Sequence, residues 1–447
     1  MTSHQQYIEL FGTQRETIDR HSADVLNVRR DEALEALQRL GLPTRKVERY
    51  RYTDVQAAFA TDYGLNLNRL SIPVNPYEIF RCSVPNLSTS LYFVVNDQFY
   101  DRVLPKAPLP EGVIVDSLSK VAREQPTLVE KYYGCLAQPG KDGVTALNTL
   151  LAQDGLFIYV PRNVVVDRPI QVVNILRADV DLMVNRRVLI VLEQGAQAKV
   201  LVCDHAMDDH DFLATQVSEV FVGENAHLEL YELEETHRRS KRFANMYVDQ
   251  AAYATATIDS ITLHNGLTRN QTDVSLSGEY AEVNMYGCVI ADKEEQVENN
   301  TIIDHRVPNG QSTELYKYVL DDHAVGVFAG LIRVQEGAQK TLSNERNANL
   351  CATNTARMYA QPMLEIYADD VKCSHGCTVG QLDEQALFYM RQRGIPEEEA
   401  RLQMKFAFLG EVIDSVQLEP LRDRLHHLVE SRFRGDLMRC DGCKTCR

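Results

Sequence analysis

Cys373, His375 and Cys377 stand at strict two-residue spacing within Asp370-Val-Lys-Cys-Ser-His-Gly-Cys-Thr-Val-Gly-Gln-Leu-Asp383. In an extended backbone, positions i, i+2 and i+4 point the same way, so two thiols and an imidazole would share one surface. That set of donors suits soft metals, iron–sulfur clusters or sulfur transfer. Gly376 sits among them and permits a turn or bulge where the alternation is needed. The plain structural alternative is a reduced core cysteine and a hydrogen-bonded histidine.

A second thiol group lies in Arg439-Cys-Asp-Gly-Cys-Lys-Thr-Cys-Arg447, where Cys440, Cys443 and Cys446 form a Cys-x2-Cys-x2-Cys run. The spacing matches the first three ligands of bacterial cluster motifs, and Cys-x2-Cys also serves zinc and redox pairs. The tail has no fourth ligand, so a metal there would need another chain to complete it. The cluster Asp204-His-Ala-Met-Asp-Asp-His-Asp211 has no ligand spacing that argues for a metal, and it reads as a solvated loop. Walker A, dinucleotide-type glycine, His-Glu-x-x-His and Gly-x-Ser-x-Gly sequences are all absent. The chain therefore has no P-loop through which to bind ATP.

The elements that position these residues follow from composition and pattern. The net charge of −16 argues against a nucleic-acid scaffold and against binding to anionic membrane surfaces. No apolar run approaches the ~20 residues of a membrane-spanning helix. Glu9, Arg15, Glu16, Asp19 and Arg20 interrupt any signal-peptide core. A cytoplasmic location is the expectation, with the ten cysteines reduced and free to act as ligands.

Residues 3–40 read as helical, with Ala33, Leu37 and Leu40 on one face and Gly41-Leu-Pro43 as the stop. Residues 41–150 hold nine of the fifteen prolines and read as mixed and turn-rich. Proline then vanishes from Ile170 to Val307, as many ladder-bonded strands require. Val283, Met285, Gly287 and Val289 alternate against Glu282, Asn284, Tyr286 and Cys288, which is strand periodicity. Turn-plus-strand units begin at Gly195, Gly223, Gly278 and Gly337, at one, two and two multiples of a roughly 28-residue interval. Such repeats favour a β-solenoid over a sandwich or barrel. Beyond Gln381 the pattern is helical again. Leu402, Phe406, Leu409, Ile413 and Val416 mark one face, which either packs on its own domain or docks a partner. The expected division is 1–150 helical and mixed, 151–380 solenoid, and 381–447 helical with the cysteine-rich tail.

Stretches along nearly the whole chain resemble the SufB/SufD family of iron–sulfur cluster assembly. They include Gly41-Leu-Pro-Thr-Arg-Lys46, Asp154-Gly-Leu-Phe-Ile-Tyr-Val-Pro161, Gly223-Glu-Asn-Ala226, Asp369-Asp-Val-Lys-Cys-Ser-His-Gly376 and Arg391-Gln-Arg-Gly-Ile395. The resemblance implies a mainly β fold, a right-handed parallel β-helix core between N-terminal and C-terminal helical regions. It implies a non-catalytic scaffold that pairs with SufB through the core and binds the ATPase SufC through its C-terminal helices. Cys373 and His375 match the family's cysteine–histidine pair at the interface where a nascent cluster forms. Gln381, Leu382, Leu387, Phe388, Leu402, Phe406 and Leu409 are the implied SufC-docking residues. No cofactor is implied to stay bound; iron or a cluster would pass through transiently, and a homodimer of the isolated chain, which the sequence leaves open, would stand in for the SufB pairing. The extra N-terminal cysteine motifs of SufB-like chains are missing, which favours the SufD side. Cys377 and the Cys440–Cys446 tail depart from the family pattern. Two other functions stay open: a permanent metal or cluster carrier using the tail, and a β-solenoid enzyme acting on polysaccharide through paired acids.

Overall fold

The computed structural model describes residues 3–70, 72, 76, 84, 87–102 and 108–435. Cys440, Cys443 and Cys446 lie outside the described residues.

From Gly155 to Gly380 the chain is a parallel β-solenoid of about eight turns. Successive strands alternate between two sheets, so each bonds in parallel to the strand two places later. Among the described residues, one sheet has ten strands and the other nine. Their facing sides close a single core: Ile190, Val220, Val248, Val274 and Ile303 come from the nine-stranded sheet, and Val200, Leu230, Ile258 and Met285 from the ten-stranded one. Because side chains alternate along a strand, Val283, Met285, Gly287 and Val289 all face this lumen, as their periodicity predicts.

The glycine-bearing units are corners of the solenoid, between a strand of the nine-stranded sheet and the next strand of the ten-stranded one. The doubled intervals have a simple cause. Corners of other composition intervene at Ala251-Ala-Tyr-Ala254 and Arg306-Val-Pro-Asn-Gly310. Asn225, Tyr253, Tyr280, Asn309 and Lys340 take positive φ there, the conformation Gly195 adopts at its own corner. Tyr253 and Tyr280 are bulky for that region, and their rings stack at 5.1 Å.

Helices Gln5–Arg20, Arg30–Leu40 and Gly143–Leu151 cover the outer face of the nine-stranded sheet, meeting Met183, Leu213 and Phe243. Ala33 and Leu37 are buried as expected; Leu40 is 41% exposed, and Ala36 takes the inward place. Helices Glu397–Ile413 and Glu419–Arg434 cover the outer face of the ten-stranded sheet, where Leu409, Val412, Ile413, Leu425 and Val429 pack on Tyr231, Ile261, Cys288 and Leu315. Lys317 Nζ donates to the Phe408 carbonyl at 2.9 Å, and Arg432 reaches the Leu263 carbonyl and Asp292, both at 2.7 Å.

The acidic cluster corrects one expectation. Asp204 and His205 are buried on strand Gln197–Ala206 rather than in a loop, and only Met207–Asp211 connects strands. Asp204 is inward-facing on that strand and pairs with Arg186 at 2.5 Å.

The two ends of the solenoid differ. At the N-terminal end, antiparallel strands Gln98–Phe99 and Ile114–Ser117 close the sheets. At the C-terminal end, Arg357–Ile366 and Lys372–Gly380 are the outermost strands of their sheets. Among the described residues, no helix is long and apolar enough to cross a membrane.

Candidate functional site

Lys372–Gly380 bonds on one side only, to Leu342–Cys351, with Cys373 opposite Ser343, His375 opposite Glu345 and Cys377 opposite Asn347. In-register neighbours of a parallel ladder face the same way. Ser343, Glu345 and Asn347 are buried inward, so the cysteines and histidine line the same lumenal side on the last turn, where no further turn covers them among the described residues. The register runs unbroken through Gly376, and the strand has no bulge there.

Cys373 is half-buried against Ile332, Val334, Ala338 and Ala368. His375 and Cys377 are exposed. The Cys377 thiol donates to Asn347 Oδ1 at 3.5 Å, and Asn349 Nδ2 approaches its sulfur at 3.9 Å. Burial raises both thiols, and the Glu345 carboxylate raises Cys377 further. Both are therefore held as thiols until a metal or a cationic neighbour favours the thiolate.

Spacing along one strand sets a limit on this trio. Alternate residues are roughly 6.5 Å apart, too far for one strand to wrap an ion. Among the described residues, no three His, Cys, Asp or Glu side chains converge on a metal position. The trio offers ligands outward, to be completed by something else.

Behind His375 lie residues that reading along the chain did not single out. Met285, Glu314, Glu345 and His375 occupy successive register positions, so two carboxyl groups stand between the apolar lumen and the histidine. Burial pushes Glu314 up to about 7 and Glu345 up to about 9, with Glu314 adding to the latter. Their sequence signal is an acid at inward parity on two strands one repeat apart, visible only once the repeat is aligned.

The seven proposed docking residues divide. Leu382, Leu387 and Leu409 are buried in the chain's own core. Leu402 and Phe406 are partly covered. Gln381 is exposed and bonded to Asn354 at 2.6 Å, while Phe388 is 62% exposed beside the equally open Tyr389. The exposed face of helix Glu384–Gln392 is therefore the uncovered apolar part of the proposed docking set.

Comparison with known proteins gives this arrangement its family. Residues 1–172 match the SufBD protein N-terminal region, and residues 175–408 match "SUF system FeS cluster assembly, SufBD core domain". The chain belongs to the SufBD family. The iron–sulfur cluster assembly protein SufD of Escherichia coli is 29% identical over 405 residues, covering 90% of this chain and 92% of that protein. SufD of Bacillus subtilis is 28% identical over 339 residues, covering 72% and 75%. A SufBD family protein of Synechocystis is 27% identical over 424 residues, covering 91% of each. Cys373, His375 and the lumenal acids all fall inside the SufBD core match. Family membership and the SufD relatives support a role in iron–sulfur cluster assembly.

Proposed function

We propose that this chain is the SufD-type scaffold subunit of a SUF assembly complex, acting with SufB and a SufC-type ATPase in cluster formation and iron acquisition. One observation carries the proposal: the uncovered last turn of the solenoid holds Cys373 and His375 on a strand whose outer edge has no partner among the described residues.

An unpaired edge is a template for strand addition from another chain. Tyr359, Met363 and Ile366 on the companion strand, and Tyr367 and Val379 close by, add exposed apolar surface at the same end. A SufB core docked there would bury the edge and bring the ligands that one strand cannot supply. A second copy of this chain would take that place when the subunit is isolated. Iron or a nascent cluster is cargo at this interface, held while both chains contribute ligands and released when they separate. His375 supplies an imidazole nitrogen, and Cys373 a sulfur that becomes a thiolate as the metal arrives.

The chain's role is positioning, and ATP hydrolysis belongs to the SufC partner. Phe388 and Tyr389 are the exposed contacts for that ATPase, with Gln381, Leu402 and Phe406 alongside. Leu382, Leu387 and Leu409, also named for docking, are buried and serve the chain's own packing.

Anaerobic co-expression with SufB and SufC of the same organism tests the proposal. The expected result is a stable complex whose cluster yield drops sharply with His375→Ala while its composition stays unchanged. A tagged chain that captures neither partner would defeat the assignment. Cluster bound stoichiometrically by the isolated chain, and lost with residues 440–447, would favour a permanent carrier instead.

A further inference from the structure

The solenoid supplies a partner for most of its buried lumenal acids. Asp204 lies 2.5 Å from Arg186 and 3.6 Å from Arg242, and Glu232 lies 3.7 Å from Arg242. Glu234 accepts from the Thr268 hydroxyl at 2.9 Å. Glu314 and Glu345 break this pattern. They are 1% and 0% exposed, and all four of their carboxylate oxygens lack a hydrogen-bond donor among the described residues. Neither has an arginine or lysine partner among the described residues.

Three further features converge on the pair. The two acids are register neighbours on strands Gln311–Leu320 and Leu342–Cys351, so their side chains extend from adjacent turns into one space. Thr301 of the facing sheet is also buried, and its hydroxyl stands beside Glu314 without closing a hydrogen bond. Gly330, next to Thr301 in the facing sheet's register, leaves room for Glu345: a Cβ there would run into Oε1.

Unpartnered carboxylates are costly in an interior, so each acid keeps its proton until a counter-charge arrives to displace it. Carboxylate and hydroxyl oxygens suit a hard or borderline dication rather than a soft one. We propose that Glu314, Glu345 and the Thr301 hydroxyl form a lumenal site for one divalent cation, with ferrous iron as its cargo. The site lies one turn inside the solenoid's open end. His375, in register with Glu345, is the next ligand outward, so an ion leaving the carboxylates meets the imidazole before it meets a partner chain. This inference rests on the assembly role proposed above and adds a holding position to it.

The test uses the full chain under anaerobic conditions, titrated with Mn2+ and followed by the electron paramagnetic resonance signal of the free ion. Ferrous iron is then used as a competitor. Wild type should hold one Mn2+ that Fe2+ displaces. Glu314→Gln/Glu345→Gln should weaken that site at least about 10-fold, and Thr301→Val by about 3-fold. Cys373→Ser/Cys377→Ser should leave it unchanged. Glutamine keeps the shape of the protonated acid, so a melting temperature at or above wild type certifies the double variant's fold. If that variant melts lower, Glu314→Gln alone provides the comparison. Equal Mn2+ binding by wild type and the glutamine variant overturns the site, as does the absence of binding to wild type. Capture of SufB and SufC by the same samples reports separately on the assembly role.

Discussion

Glu345 stands directly behind His375, one turn inward and in register with it, so the exposed imidazole is backed by a fully buried carboxyl group. The imidazole and the carboxyl group share the lumenal side of neighbouring strands about 4.8 Å apart, the first exposed at the solenoid's end and the second buried one turn in.

Substitutions on the terminal strand should separate function from folding. His375 is exposed, so His375→Ala should change stability by less than about 0.5 kcal/mol. Cys373→Ser places a hydroxyl among Ile332, Val334 and Ala338 and should cost about 1 kcal/mol. Each should still cut reconstituted cluster formation strongly, and Cys377→Ser should cut it less. Thermal melting and cluster yield on the same three proteins decide the matter. Wild-type yield from a stable Cys373→Ser/His375→Ala variant would remove the pair from the mechanism.

The lumenal acids predict a pH dependence with a definite sign. Glu314 and Glu345 rise in the folded chain from 4.5 to about 7 and about 9, so folding favours their protonated forms. Their favourable contribution is complete below the unfolded value and is lost as pH climbs through the folded values. Glu314→Gln/Glu345→Gln should therefore gain on wild type between pH 5 and pH 9, by on the order of 1–3 kcal/mol. Chemical denaturation at both pH values, with metal ions chelated, measures the gap. A gap that stays constant or narrows toward alkaline pH contradicts the assignment.

Gly330 should be intolerant of even one methyl group. A Cβ there would meet the Glu345 carboxyl and approach Phe328 Cζ at 2.9 Å. Gly330→Ala should cost about 1–3 kcal/mol through overpacking. Glu345→Ala in the same chain should recover much of that loss, because it empties the space the methyl enters. A double-mutant cycle reads the coupling, and strict additivity would show that the two residues do not meet across the lumen.

The exposed apolar face near the C-terminus yields a clean docking test. Phe388→Asp and Tyr389→Asp alter open positions and should shift stability by less than about 0.5 kcal/mol. Capture of a SufC-type ATPase should fall roughly 10-fold or more. Truncation after Leu382 is a poorer test, since it strips Leu409, Ile413 and Leu425 from the sheet and uncovers Ile261 and Leu315. Undiminished capture by the folded double variant would place the docking surface elsewhere.

The chain's own pattern determined the class of fold. Alternation at Val283, Met285, Gly287 and Val289, the missing prolines and the recurring glycine-led turns specify strands and turns by local chemistry, and these survive any arrangement of the rest. The same locality made Cys373, His375 and Cys377 legible, because two-residue spacing on a strand fixes a common face. Burial of Leu387 and Leu409, the pairing of Asp204 with Arg186, and the carboxyl group behind His375 were decided only by tertiary structure. The last of these depends on which residues about thirty apart come into register. That register accumulates from corner to corner, and corners differ in length and composition, as Arg306-Val-Pro-Asn-Gly310 does from Gly223-Glu-Asn-Ala226. A shift of one residue at any corner would turn Glu345 from the lumen to the outer face, and nothing local to Glu345 records which way it points.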